Sequence, residues 1–303
     1  MSALNGLKIA DFSWVGAGPR ATKDLADNGA TVIKIESRKR LGLGYDALRQ
    51  IKPDIILASV SVAGRTGPMA GFRGYGNSAA AHSGHAALTG WPGGDPHMPP
   101  LAYGDVVAPM FATVAILAAL EHKARTGEGQ HLDISQIEPM VHVIADLYAL
   151  DTYALHGVFP TRGEDEWIAI AACAGAELDR LAELLGLEPE NVTGETVAAR
   201  TLAFDRFELA DRLAAAGIAA AAVQDGRDVA RSEELAAGRH IVSTDHPVLG
   251  KAAMPAPPYT MDQTPWSIGK APLLGEHNGA VLVDMLGMTR ADVEALEAQG
   301  VLA

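Results

Sequence analysis

Leu7-Lys8-Ile9-Ala10-Asp11-Phe12, then Ser13-Trp14-Val15-Gly16-Ala17-Gly18, then Pro19 to Asn28, then Thr31-Val32-Ile33-Lys34-Ile35-Glu36 decide the fold. A buried strand runs into a glycine loop, a helix with proline in its first turn stops at Gly29, and a second apolar strand follows. That order predicts a βαβ unit of Rossmann type and hence an α/β chain. The loop holds Gly16 and Gly18 but lacks three spaced glycines, so a nicotinamide dinucleotide is not expected. A loop that opens a helix still lets a phosphate or thioester reach the backbone.

Working outward, Leu48 to Lys52 reads as a short helix and Ile55 to Val62 as another buried strand. Gly64 to Gly94 is rich in glycine, proline and small residues, the composition of an active-site loop, with one helix over Asn77 to Leu88. Ile137 to Leu155 reads as a long helix. The character changes after His156: Asp165 to Ala171 alternates like a strand, and helices follow at Glu177 to Leu185 and Phe207 to Ala216. These predict a smaller inserted α+β domain over 160–248, with a Rossmann-like large domain from 1–159 and 249–303. Proline-rich Met254 to Pro265 returns the chain to terminal helices at Gly279 to Leu286 and Arg290 to Gln299.

Tyr103-Gly104-Asp105 opens an apolar run from Val106 to Leu120 that ends in Glu121-His122-Lys123-Ala124-Arg125 and the turn Thr126-Gly127-Glu128-Gly129-Gln130. Cations near its end suit a helix C-terminus, and the strand-like His131-Leu132-Asp133-Ile134 follows. Asp105 is therefore a carboxylate at the head of a core helix. Asp is among the best N-caps, and the unpaired first-turn amides of a helix also favour an anion or a nucleophilic carboxylate. The two readings are compatible.

With 303 residues, 48% hydrophobic and 20% charged, the chain can bury a sizeable core in one or two domains. A formal net charge of −13 argues against nucleic acid, which requires basic surface. The single cysteine, Cys173, rules out an internal disulfide and fits a reducing cytoplasm. No signal peptide is expected, and the longest apolar run, which contains Pro109, reads as too short to span a membrane. His82 and His85 lie three apart without a third ligand at a recognisable spacing, so no metal is expected. Gly-x-Ser-x-Gly is absent. Arg38-Lys39-Arg40, Arg65 and Arg73 are the cations available to a polyanionic ligand.

The words around Asp105, together with Leu4-Asn5-Gly6-Leu7 to Phe12, Ala17-Gly18-Pro19, Gly29 to Glu36 and Ala271-Pro272-Leu273-Leu274-Gly275-Glu276-His277, resemble the class III CoA-transferases. This is the formyl-CoA and carnitinyl-CoA transferase (CaiB/BaiF) family, which also contains α-methylacyl-CoA racemase. The resemblance runs nearly end to end. It implies that Asp105 is a covalent nucleophile toward an acyl-CoA thioester and that CoA is a substrate rather than a resident cofactor. It further implies contacts to CoA from the loop of Val15, Gly16 and Ala17, a small carboxylic acid as acceptor, and an interlocked homodimer. Arg38 and Arg73, as cations for a polyanionic CoA, and Tyr75 complete the expected CoA-binding residues.

Two departures matter. Between Ser37 and Leu41 to Tyr45 the family carries a further strand, helix and strand near the nucleotide, and here the chain passes directly from one flank to the other. The racemase branch places a histidine where this chain has Tyr75 and a glutamate near Ala174, so CoA transfer is favoured over racemisation. The glycine-rich Gly90 to Gly94 and Gly16 to Gly18 loops are the candidates for oxyanion donors. A non-catalytic partner subunit is the competing reading, because the shortened nucleotide region could fail to bind CoA.

Overall fold

The computed structural model describes residues 2–35, 42–90, 94–144, 153–237 and 240–302. The chain is a mixed α/β protein in two compact units, the first of Met1–Thr89, Pro96–Val143 and Leu235–Ala303, the second of Gly90–Asp95 and Ile144–Glu234.

In the first unit, β1 (Lys8–Asp11) and β2 (Thr31–Lys34) pair in parallel, with α1 (Ala17–Asp27) as the crossover between them. Helix α1 forms because Ala17, Ala21 and Leu25 recur every four residues and bury one stripe. It stops at Asn28 and at Gly29, whose φ of 101° suits glycine. Next come α2 (Tyr45–Ile51), β3 (Leu57–Ser61), α3 (Gly76–His82), α4 (His85–Leu88), α5 (Gly104–Thr126), β4 (His131–Ser135) and α6 (Ile137–Val143). Strands β3 and β4 pair in parallel from Leu57–His131 to Ser61–Ser135. Among the described residues the two parallel pairs are separate two-stranded sheets rather than one.

Helix α5 packs through small residues: Ala112 meets Ala21 of α1 and Ile134 of β4, and Val107 meets Ala79 and Ala80 of α3 and Met140 of α6. Its 23 residues are long and apolar enough to cross a membrane, contrary to the sequence expectation of a shortfall. Its burial of Val107, Ala108, Pro109, Ala112 and Ala119 marks it as a core helix.

The second unit holds the antiparallel sheet β5 (Leu155–Pro160), β6 (Trp167–Ala172) and β7 (Ala219–Ala222), in that order, with α7 (Ala176–Leu185), α8 (Gly194–Thr201), α9 (Arg206–Ala215) and α10 (Gly226–Arg231). Ile168, Ile170 and Ala172 alternate inward along β6 against Leu181, Leu209, Leu213 and Ile218. Each such leucine or isoleucine contributes about 1.5–3 kcal/mol over its exposed state. The short helix α11 (Glu233–Ala237) leads to the hairpin β8 (Ile241–His246) and β9 (Gly250–Pro255), and α12 (Arg290–Ala298) lies near the end of the chain.

Several expectations shift. The second unit begins before residue 160, because Leu155–Pro160 is a strand paired to β6 and not the end of the helix read over Ile137 to Leu155. It also ends before 248, because β8 pairs with β9 in the first unit. The helix read as Asn77 to Leu88 is two helices, broken at Ser83-Gly84, where Gly84 has φ 90°.

Candidate active site

Helix α5 starts at Gly104 with Tyr103 as its N-cap, so Asp105 lies inside the first turn and does not cap. The amides expected to be free there are paired: Asp105 N–H donates to the Ala102 carbonyl, and Val106 and Val107 donate to Tyr103. The Asp105 carboxylate instead points at other elements. Two glycines let it do so. A Cβ on Gly104 would lie 2.8 Å from the Ala79 Cβ, and one on Gly76 would lie 2.7 Å from the Asp105 nitrogen, so the starts of α3 and α5 meet backbone to backbone. Pro109 has no N–H to give the Asp105 carbonyl four residues earlier, which loosens the helix at the residue that matters.

Each carboxylate oxygen has its own donor. Gln136 Nε2 donates to Oδ1 at 2.6 Å, and the Gly76 N–H, at the start of α3, donates to Oδ2 at 3.3 Å. Gln136 is 4% exposed, and its backbone is fixed by donation to the Ser61 and Val62 carbonyls, which extends the β3–β4 pairing by one residue. Ser135 Oγ accepts from the Ile137 and Glu138 amides and so starts α6 just beyond it. Sequence reading missed Gln136. The one signal was a glutamine between an apolar strand and an apolar helix, where a buried amide must find partners.

The third wall is Gly16, where a Cβ would stand 2.9 Å from the Asp105 Cγ. The loop carrying Gly16 is held from beneath by Asp11. The Asp11 carboxylate accepts from the Ser13 amide at 2.8 Å, the Ser13 hydroxyl at 2.5 Å, the Thr22 hydroxyl at 2.9 Å and the Lys34 ammonium at 3.2 Å. Lys34 also donates to the Ser13 carbonyl. Burial pushes the Asp11 carboxyl up, but the Ser13 and Thr22 donors and the Lys34 charge outweigh it, and the group titrates below its ordinary value. Val15, one residue before Gly16, has φ 65° and is 74% exposed. A β-branched residue there is a true outlier, held by the loop around it.

Of the other sequence candidates, Ala17 is buried at the start of α1, and Tyr75 precedes Gly76 with its ring exposed. Arg73 is exposed two residues earlier, and Arg38 lies outside the described residues. Arg65 lines a hollow of about 430 Å³ with Tyr45, Ser59 and His131, where the Tyr45 and His131 rings stack at 5.4 Å. The Gly90 to Gly94 loop belongs to the second unit and is described only in part. His82 stands edge-on to Phe72, while His85 is buried against the Ser83 hydroxyl and burial pushes its imidazole pKa down. Among the described residues no group of three His, Cys, Asp or Glu could hold a metal ion. The arrangement is a carboxylate with backbone and amide donors, chemistry suited to nucleophilic attack and oxyanion stabilisation.

Similarity to known proteins extends over most of the chain. The chain is 27% identical over 294 residues to the succinyl-CoA–D-citramalate CoA-transferase of Chloroflexus aurantiacus, covering 86% of this chain and 73% of that one. It is 25% identical to the succinyl-CoA:glutarate CoA-transferase of Mus musculus, covering 100% of this chain and 91% of that one, in an alignment of 396 positions that leaves this chain the shorter. A CAIB/BAIF family protein of Brucella suis has the same fold, with a TM-score of 0.79 at 22% identity over 93% of this chain and 99% of that one. The sequence pattern of CoA-transferase family III matches residues 4–40 and 37–278, two pieces that meet where the shortened segment was read. A match of that extent makes the protein a member of CoA-transferase family III and, with it, a transferase.

Proposed function

We propose that the protein moves CoA from an acyl-CoA donor to a small carboxylic acid through covalent intermediates on Asp105. The observation that carries this reading is a carboxylate with a different donor on each oxygen, approached closely by a glycine where a side chain would collide with it. Attack on the donor thioester gives a mixed anhydride, and returning thiolate gives an aspartyl-CoA thioester. Relatives named for succinyl-CoA and formyl-CoA make short acyl-CoAs the donors to try first. We assign CoA binding to the first unit, through the Val15-Gly16-Ala17 loop, Tyr75, Arg73 and the hollow beside Arg65, with Arg38 as a further cation.

The working form is a homodimer in the cytoplasm. Met110, Phe111, Val114 and Leu117 form an exposed apolar stripe along α5, and a second copy supplies the cover this stripe lacks in the single chain. The break in the family match at residues 37–40 supports the competing reading of a partner subunit that does not bind CoA.

The experiment is trapping. Incubation with succinyl-CoA or formyl-CoA, then hydroxylamine or borohydride and peptide mass spectrometry, should place the adduct on Asp105. Asp105→Asn should abolish it and keep the fold, since the amide still accepts from Gln136. No adduct with either donor, together with no CoA binding by calorimetry, would establish the non-catalytic reading.

A further inference from the structure

We propose that Gln136 is a catalytic hydrogen-bond donor that stays on Asp105 Oδ1 while the Asp105 carboxyl carbon itself is attacked. This rests on the covalent reading above and deepens it. The two carboxylate oxygens are unlike: Oδ1 is taken by a short, partly buried bond at 2.6 Å, whereas Oδ2 has a long contact at 3.3 Å and faces Gly16. A carboxylate is acceptor-only, so the glutamine must present its amide N–H. Oδ2, the more weakly held of the two, is therefore the oxygen we assign to bond formation.

The exchange has four steps. Oδ2 attacks the donor carbonyl carbon, and the C–S bond breaks to release CoA thiolate. The thiolate sulfur then attacks Asp105 Cγ, and the Cγ–Oδ2 bond breaks, so that oxygen leaves with the donor acid as its carboxylate. An acceptor carboxylate oxygen attacks Cγ and expels the thiolate again. The thiolate finally attacks the acceptor acyl carbon, which breaks the acyl–oxygen bond and restores the Asp105 carboxylate. In the two middle steps negative charge builds on Oδ1, where Gln136 already donates. A neutral amide on a backbone fixed by the Ser61 and Val62 carbonyls suits that duty: it is held in place, and it does not titrate.

Gln136→Leu removes the donor at nearly constant volume, and Gln136→Glu replaces it with a group that donates only when protonated. Both are tested in the full-length protein with succinyl-CoA. Wild type should form the aspartyl-CoA thioester. Gln136→Leu should form it roughly 10²- to 10³-fold more slowly, with KM for succinyl-CoA little changed. Gln136→Glu places two carboxyl groups side by side, so it should be poor at neutral pH and recover as acid adds one shared proton to the pair, which restores a donor while Asp105 stays ionised, a rise wild type does not show. Equal rates for wild type and Gln136→Leu would overturn the proposal. So would a Gln136→Glu activity depressed by one factor at every pH, which also decides the matter if Gln136→Leu does not fold. An unlabelled wild type would instead strike down the covalent reading.

Discussion

Gly16 and Asp105 are packed with no room for a side chain between them: a Cβ on residue 16 would lie 2.8 Å from the Asp105 Cβ and 3.2 Å from its Oδ2. Residue 16 has φ −108° and ψ −68°, a conformation open to any L residue, so glycine is required here for space and not for backbone freedom.

Gly16→Ala separates those two causes. The alanine keeps the loop and the start of α1 but pushes the carboxylate out of line with its donors. A misplacement of that size costs on the order of 10²-fold in kcat, and the overpacking against the Asp105 Cβ destabilises by roughly 1–3 kcal/mol. Steady-state kinetics beside urea unfolding measures both, and an unimpaired alanine variant would show that the carboxylate does not need its present position.

Asp11 governs the same loop from behind. Asp11→Asn removes the charge that Ser13, Thr22 and Lys34 satisfy, and should destabilise the protein by about 1–3 kcal/mol, the lower end favoured because Lys34 is partly exposed. The sign of the pH dependence follows from the lowered folded pKa. The carboxylate's contribution is complete above the ordinary value of 3.8 and disappears as pH falls through it toward the folded value. Wild type and Asp11→Asn should therefore differ near neutrality and converge in acid. A gap that persists unchanged well below pH 4 would remove the ionised carboxylate as its cause.

Much of this was legible in the sequence because local rules carried it. Proline in the first turn and a glycine stop announced α1, apolar runs announced β1, β2 and β3, and Asp105 stood out at the head of the longest apolar run. What stayed hidden is what distant parts of the chain do together. Gln136 lies 31 residues from Asp105 and reaches it only because β3 and β4 pair in parallel and end beside the start of α5. Asp105 resembles a cap in one dimension, yet Tyr103 begins the helix and satisfies the amides that Asp105 was expected to face. The break at Ser83-Gly84 was invisible for a related reason: small residues satisfy a helical pattern, and only the φ of 90° at Gly84 ends it.

The exposed stripe of α5 yields the last prediction. Met110, Phe111, Val114 and Leu117 fall on one side of the helix and are exposed, while Ala108, Ala112 and Ala119 line the buried side. Large apolar side chains gain most from burial, so the proposed dimer would be stabilised by covering them. A dimer does this, and its stability then depends on protein concentration. Val114→Glu puts a charge in the middle of the stripe, at a site 67% exposed in the single chain, and should leave an isolated protomer intact. Light scattering should find wild type as a dimer at micromolar concentration and Val114→Glu as a monomer, with a lower Tm that no longer rises with concentration. If the variant stays dimeric with an unchanged Tm, the stripe is not the interface and the second copy must be sought on another face.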